Sequence, residues 1–145
     1  MKKKILVAVG LSKIAPDLIS FSCAMGRHLD AQVDFIHVLP PIEPWVGYKS
    51  WISPEMIEGA TKEAREKLRH LVDQSCPVNH EVFVEQGNAS GKIIERAKKG
   101  GYQLIIVGHK GDNPLVEIVV GSTAASVARY APCSVLIFRP GMNFL

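Results

Sequence analysis

Short apolar runs alternate with amphipathic stretches along the whole chain. The runs are Lys4–Val9, Val33–Leu39, Glu81–Val84, Leu104–Val107 and Val135–Phe138. Four of the five are apolar at nearly every position, as strands are when helices cover both faces of a parallel sheet. The segment His80-Glu81-Val82-Phe83-Val84-Glu85 instead alternates apolar and polar residues, which predicts a strand at a sheet edge.

The stretches between have helical spacing. Leu18, Phe21, Met25 and Leu29 recur at intervals of three and four, with Pro16 and Asp17 in the opening turn. A second helix begins with Ser53 as N-cap and Pro54 at the first helical position. Its apolar stripe is Ile57, Ala60, Ala64, Leu68 and Leu71. Opposite lie Glu58, Lys62, Glu63, Arg65, Glu66 and Arg69, whose mixed signs read as a solvated face, not a basic docking surface. A third helix runs from about Ser90 to Lys99 before Gly100-Gly101, and a fourth from about Ser122 to Tyr130 before Pro132. The order β-α-β-α-β-α-β-α-β predicts an open α/β sheet. One connection is long: Pro40–Ile52 carries Trp45, Tyr48 and Trp51, either as a cap on the core edge or as a contact surface.

Composition narrows the class. The 145 residues, 47% hydrophobic and 21% charged, fit one domain (1–145) with a real core. A net charge of +3 is too mild to indicate a nucleic-acid partner. No apolar window approaches the ~20 residues of a membrane span. The run after Met1-Lys2-Lys3-Lys4 is short for a secretory leader and reads as a first strand behind a basic lead-in. Cys23, Cys76 and Cys133 have no metal-binding spacing and are expected as free thiols in a reducing compartment, hence a cytoplasmic protein.

Candidate chemistry gathers after two strands. The first runs into Gly10-Leu11-Ser12. The fourth runs into Gly108-His109-Lys110-Gly111, with Gly121-Ser122-Thr123 opening the last helix. Glycines let backbone N–H groups approach an anion, and a helix start adds unpaired donors and about half a positive charge. Together they form a cradle suited to polyphosphate, although neither a Walker motif nor G-x-G-x-x-G occurs. His109 is the histidine of this loop, where it reads as a hydrogen-bonding residue rather than a general base. Asp112 and Glu117 are either solvated loop carboxylates or ligands for Mg²⁺.

The pattern Gly108-x2-Gly111-x9-Gly121-Ser122, followed by Ala131-Pro132-Cys133-Ser134-Val135-Leu136-Ile137, resembles the universal stress protein family. So do Lys4–Val9, Ile36-His37-Val38, and the stretch from Glu85-Gln86-Gly87 to Ile93-Ile94-Glu95-Arg96-Ala97. The resemblance implies an adenine nucleotide alpha hydrolase-like three-layer fold, with a five-stranded parallel sheet in the order 3-2-1-4-5 and four helices. It also implies a homodimer paired through the last strand, Ser134 to Phe138, and a bound adenine nucleotide (ATP, ADP or AMP), with or without Mg²⁺. By position, Val9, Gly10 and Val38 would line the adenosine end. Val107, Gly108, His109 and Gly111 would pass along ribose and phosphates, with Gly121, Ser122 and Thr123 closing on the phosphates. One departure stands out: Gly10 occupies the place of the family's usual Asp, so a carboxylate near the nucleoside is missing. No nucleophile–base pair emerges from spacing, and the expectation is a nucleotide-binding regulatory protein of stress response, not an enzyme. The alternatives are a slow Mg²⁺-dependent ATP hydrolase using His109 or Asp112, and a ligand-free protein signalling through residues 40–52.

Overall fold

Ile5, Leu6 and Val7 of β1 (Lys3–Ala8) are buried on both faces, and the rest of the molecule is laid out around that strand. The computed structural model describes residues 2–41, 53–77, 79–109 and 120–141, and the backbone of 45–46 and 50–51. After β1 come α1 (Ala15–Leu29), β2 (Ala31–Leu39), a ribbon of β3 (Trp45–Val46) and β4 (Ser50–Trp51), and α2 (Pro54–Ser75). Then follow β5 (Val82–Gln86), α3 (Ala89–Gly100), β6 (Leu104–Gly108), α4 (Ser122–Tyr130) and β7 (Ser134–Phe138).

The five longer strands form one sheet in the order β5-β2-β1-β6-β7, all pairs parallel. Counted without the ribbon, that is 3-2-1-4-5. The alternating segment is an edge strand, as its pattern predicts. Cβ atoms alternate across the sheet. Ile5, Val7 and Phe35 therefore pack with α1 and α2 on one face, whereas Leu6, Ile36 and Ile105 pack with α3 and α4 on the other. Two helical layers enclose the sheet, as the resemblance implies.

Local signals explain most boundaries. The Ser53 hydroxyl accepts from the Met56 N–H at 3.2 Å, and the Asn88 side chain does the same for Gly91 at 2.9 Å. Asp30 and Gly101 end α1 and α3 in the left-handed conformation. The charged face of α2 is exposed, and its buried seam is Ala64, Leu68 and Val72. Val72 lies outside the stripe expected for α2. Leu29 belongs to the stripe expected for α1, but at the end of that helix it is 38% exposed.

Two expectations need correction. The connection 40–52 is not only a loop, because Trp45 pairs with Trp51 and Val46 with Ser50 in the β3–β4 ribbon. Whether the aromatic side chains of Trp45, Tyr48 and Trp51 cap the core lies outside the described residues. The second correction concerns the thiols: Cys23 of α1 and Cys76, which caps α2, form a disulfide with Cα atoms 5.6 Å apart. Fifty-three positions separate them in sequence, and the packing of α1 beside α2 brings them together. Only Cys133 is free, and burial pushes its thiol pKa up.

A polar cluster sits inside the sheet. The carboxylate of Asp34 is fully buried and accepts from the Tyr102 hydroxyl at 2.6 Å, the Glu81 N–H at 2.9 Å and the Gln32 amide at 3.0 Å. Every donor comes from a different segment, so the cluster ties β2 to the approaches of β5 and β6.

Candidate functional site: a cavity at the carboxyl ends of the central strands

β1 leads through α1 to β2 on one side, and its other neighbour, β6, leads to α4 and β7 on the other, so the chain leaves these two adjacent strands toward opposite faces of the sheet. Such a switch point leaves a crevice beyond the strand ends. Here it is a cavity of about 430 Å³, within the range of roughly 300–1,000 Å³ common for small-ligand sites.

Nine of the ten residues expected at a site meet on its wall: Val9, Gly10, Val38, Val107, Gly108, His109, Gly121, Ser122 and Thr123. The tenth, Gly111, lies outside the described residues, as do Lys110, Asp112 and Glu117. The glycines differ in their surroundings. A Cβ on Gly108 would stand 2.7 Å from Ile14 Cδ1, so a side chain there would press on the residue before α1. Gly121 has φ −57°, an ordinary backbone conformation, and no positive φ restricts that position to glycine. Gly10 is open: a Cβ built there meets nothing within 4 Å. A side chain in place of the missing carboxylate would have room.

The helix contribution stands as expected. Gly121 is the N-cap of α4 and supplies no side-chain cap, so the first N–H groups of that helix keep no side-chain partner there. Ser122 and Thr123 bring their hydroxyls to the same wall.

Sequence reasoning missed part of the wall. Ile14 comes from the cap of α1, Leu18 from its first turn, and Ala89 and Ile93 from the start of α3, beside Ser12 of the turn after β1. The four apolar positions look like ordinary core residues, and only the packing reveals that they stop short of filling the crevice. His37 was read as a strand residue. It ends up half-buried at the cavity, its Nδ1 2.7 Å from the Val9 carbonyl. A carbonyl can only accept, so Nδ1 carries the hydrogen, and in the neutral ring Nε2 is left as an acceptor. His109 is 7% exposed and its Nε2 has no hydrogen-bond partner. Among the described wall residues there is no Asp, Glu, Lys or Arg.

Comparison with known proteins accords with this architecture. A family model described as the universal stress protein family matches residues 1–139. A universal stress protein of Synechocystis is 30% identical over 150 residues, covering 94% of this chain and 97% of its own. Two solved structures share the fold. One is a universal stress protein from Archaeoglobus fulgidus in complex with dAMP, at 21% identity, TM-score 0.63 and coverage of 93% and 96%. The other is a universal stress protein family protein from Arabidopsis thaliana with AMP bound, at 19% identity, TM-score 0.62 and coverage of 94% and 91%. Doubly wound topology, the cavity at its switch point and a family match across nearly the whole chain agree: this chain belongs to the universal stress protein family.

Proposed function

We propose that this protein binds an adenine nucleotide in the cavity beyond β1, β2 and β6. In this reading it works as a regulatory homodimer of a single domain (1–145) in stress response, without turning the nucleotide over. The observation that carries the reading is the meeting of the α4 N-terminus with the ends of three strands around one crevice. Helix N–H groups and their dipole suit anionic oxygens, and the apolar start of α3 suits a flat base. Related proteins of this fold are in complex with dAMP and with bound AMP, which supports an adenine ligand here.

In the assignment we favour, Val9, Gly10 and Val38 line the adenosine end, with His37 offering an acceptor in place of the absent carboxylate. Val107, Gly108, His109 and Gly111 follow the ribose and phosphates, and Gly121, Ser122 and Thr123 close on the phosphates. ATP, ADP and AMP all fit the scheme, with or without Mg²⁺. No nucleic-acid or membrane partner enters it, and no helix among the described residues is long and apolar enough to cross a membrane. The cytoplasmic assignment rested on three unpaired thiols. With Cys23 and Cys76 joined, only Cys133 is left to carry it. A thiol count on unreduced protein from a lysate decides that point.

Mass spectrometry of whatever is released from protein purified without added nucleotide tests the ligand, followed by calorimetry with AMP, ADP and ATP. An adenine nucleotide in the released fraction, or micromolar binding of one, supports the reading. Absence of both overturns it. Turnover far below the ordinary enzyme range of roughly 1–10³ s⁻¹ at saturating ATP and Mg²⁺ supports the non-catalytic half.

A further inference from the structure

We propose that the Cys23–Cys76 bond is a redox switch for the cavity: closed, it holds the start of α1 where a ligand needs it, and opened by a dithiol reductant it lets that wall shift. The proposal rests on the nucleotide reading above and adds a regulation of the same site. It starts from the course of α1. Ile14, the N-cap, and Leu18, in the first turn, stand on the cavity wall. Five residues after Leu18, about 7.5 Å along the helix axis, comes Cys23. No Pro or Gly lies between them, so this part of α1 has no hinge and moves as a unit. The other end of the bond is Cys76, the C-cap of α2, a helix that supplies no described residue to the wall. The bond thus ties a cavity-lining helix to a helix outside the cavity.

Packing makes the state of the bond matter. Cys23 and Cys76 are both buried in the core shared by α1, α2 and the sheet. Separate thiols cannot approach as closely as bonded sulfurs do. A close-packed interior passes such a change on to its neighbours instead of absorbing it. α1 carries it to Leu18 and to Ile14, which lies where a side chain on Gly108 would press. A wall no longer held in its bound arrangement weakens binding, because the ligand must then restore the order.

The exchange balances in atoms and electrons. A thiolate of the reductant attacks the Cys76 sulfur to form a mixed disulfide, and Cys23 leaves as a thiolate that takes up a proton. The second thiol of the reductant, losing its proton, attacks the reductant's own bonded sulfur and releases Cys76, which is protonated in turn. Two electrons and two protons pass to the protein, and the dithiol departs as its own disulfide. Attack falls on Cys76 because it ends a helix and precedes Pro77, whereas Cys23 has helix on both sides. Both residues are covered in the closed fold, so the reductant reaches Cys76 when the last turn of α2 opens, a local event that needs less free energy than global unfolding.

The test uses the whole chain carrying Cys133→Ala, equilibrated in oxidised or reduced dithiothreitol, with Cys23 and Cys76 read by alkylation and mass spectrometry. Calorimetry should show AMP binding to the reduced form weaker by about 5-fold or more. Adding Cys76→Ala should give the affinity of the reduced form and remove the response to dithiothreitol. By linkage, saturating AMP should make the bond harder to reduce by the same factor, read as the dithiol-to-disulfide ratio at half reduction. Methyl NMR of Ile14 and Leu18 should move on reduction with no ligand present, while circular dichroism stays native. Equal AMP affinity in the two folded forms overturns the switch and leaves the nucleotide reading standing. So does alkylation of Cys23 and Cys76 in oxidised dithiothreitol, or loss of the fold on reduction, which would make the bond a staple alone. If AMP binds neither form, the nucleotide reading falls, and unmoved Ile14 and Leu18 methyls overturn the switch separately.

Discussion

The phenol of Tyr102 is held in its protonated form by its surroundings. Burial raises its pKa first, and the hydrogen bond to Asp34 and that carboxylate's charge raise it further. A raised folded-state pKa means the native protein holds this proton more tightly than the unfolded chain does. The stabilisation is fully present below the unfolded tyrosine pKa of about 10, and is lost as pH rises above it. Urea unfolding between pH 7 and 11 should show the wild type losing stability at the alkaline end, and Tyr102→Phe should lose the share owed to this group. At neutral pH the same variant should be less stable by about 1.5–3 kcal/mol, the range for a hydrogen bond to a charged partner. Equal alkaline slopes in the two proteins would exclude Tyr102 as the titrating group. Nothing in the sequence singles out Tyr102 or Asp34, because their meeting joins positions 68 apart.

At the scale of elements, glycines in two helices have opposite consequences. Gly26 of α1 packs onto β2, where an added Cβ would collide with Val33 Cγ2 in the buried core. Overpacking of this kind costs about 1–3 kcal/mol, against a gain of about 1 kcal/mol in helix propensity for Ala. Val33 is fully buried and hemmed in, so the overpacking wins: Gly26→Ala should lower the melting temperature. Gly59 of α2 has nothing within 4 Å of its Cβ position and lies on the exposed face. Gly59→Ala should therefore stabilise by about 0.5–1 kcal/mol. Chemical denaturation of both variants checks the pair, and the same sign in both would refute the packing argument.

The disulfide also belongs to this scale. It joins α1 to the end of α2 across 53 positions. Loop-closure entropy puts the stabilisation from a bridge of that span near 4 kcal/mol. Cys76→Ser, or thiol reductant strong enough to open a buried bridge, should lower stability by about 2–5 kcal/mol without changing the strand order. Mass spectrometry of unreduced, alkylated protein reads the bond directly. Two blocked thiols on Cys23 and Cys76 would remove it.

At the scale of the whole molecule, the edge at β7 bears on assembly. Val135, Leu136 and Ile137 are only half-buried, and among the described residues the strand has one neighbour, β6. An apolar edge invites pairing, and a two-fold homodimer would satisfy it. Phe138 turns its carbonyl toward β6, where it accepts from His109. Alternation along the strand therefore points the Leu136 amide at β6 as well, and the amides of Val135 and Ile137 outward. Proline at 136 would damage the sheet itself, whereas Ile137→Pro removes an N–H from the free edge. Sedimentation at micromolar concentration should show a dimer for the wild type and a monomer for Ile137→Pro with native circular dichroism. A wild-type monomer would rule out the edge dimer.

The alternation of apolar runs with helical stripes sufficed to determine the five long strands, four helices and edge position of β5, because periodicity is a local consequence of burial. Ser53 and Gly101 likewise announced a helix start and a helix end. The resemblance supplied strand order, which periodicity cannot contain. Nine of the ten expected residues reach one cavity because they sit at strand ends and a helix start, places visible in the chain. The remaining features needed the tertiary structure. Cys23 and Cys76 look like unrelated thiols until α1 lies against α2. That a side chain at Gly108 would meet Ile14 is visible only once the turn before α1 lies against β6. His37 and His109 become a committed donor and an unpartnered nitrogen only when Val9 and the cavity wall surround them. In each case the deciding partner lies far away in sequence, and a contact between distant positions leaves no periodic trace in the chain.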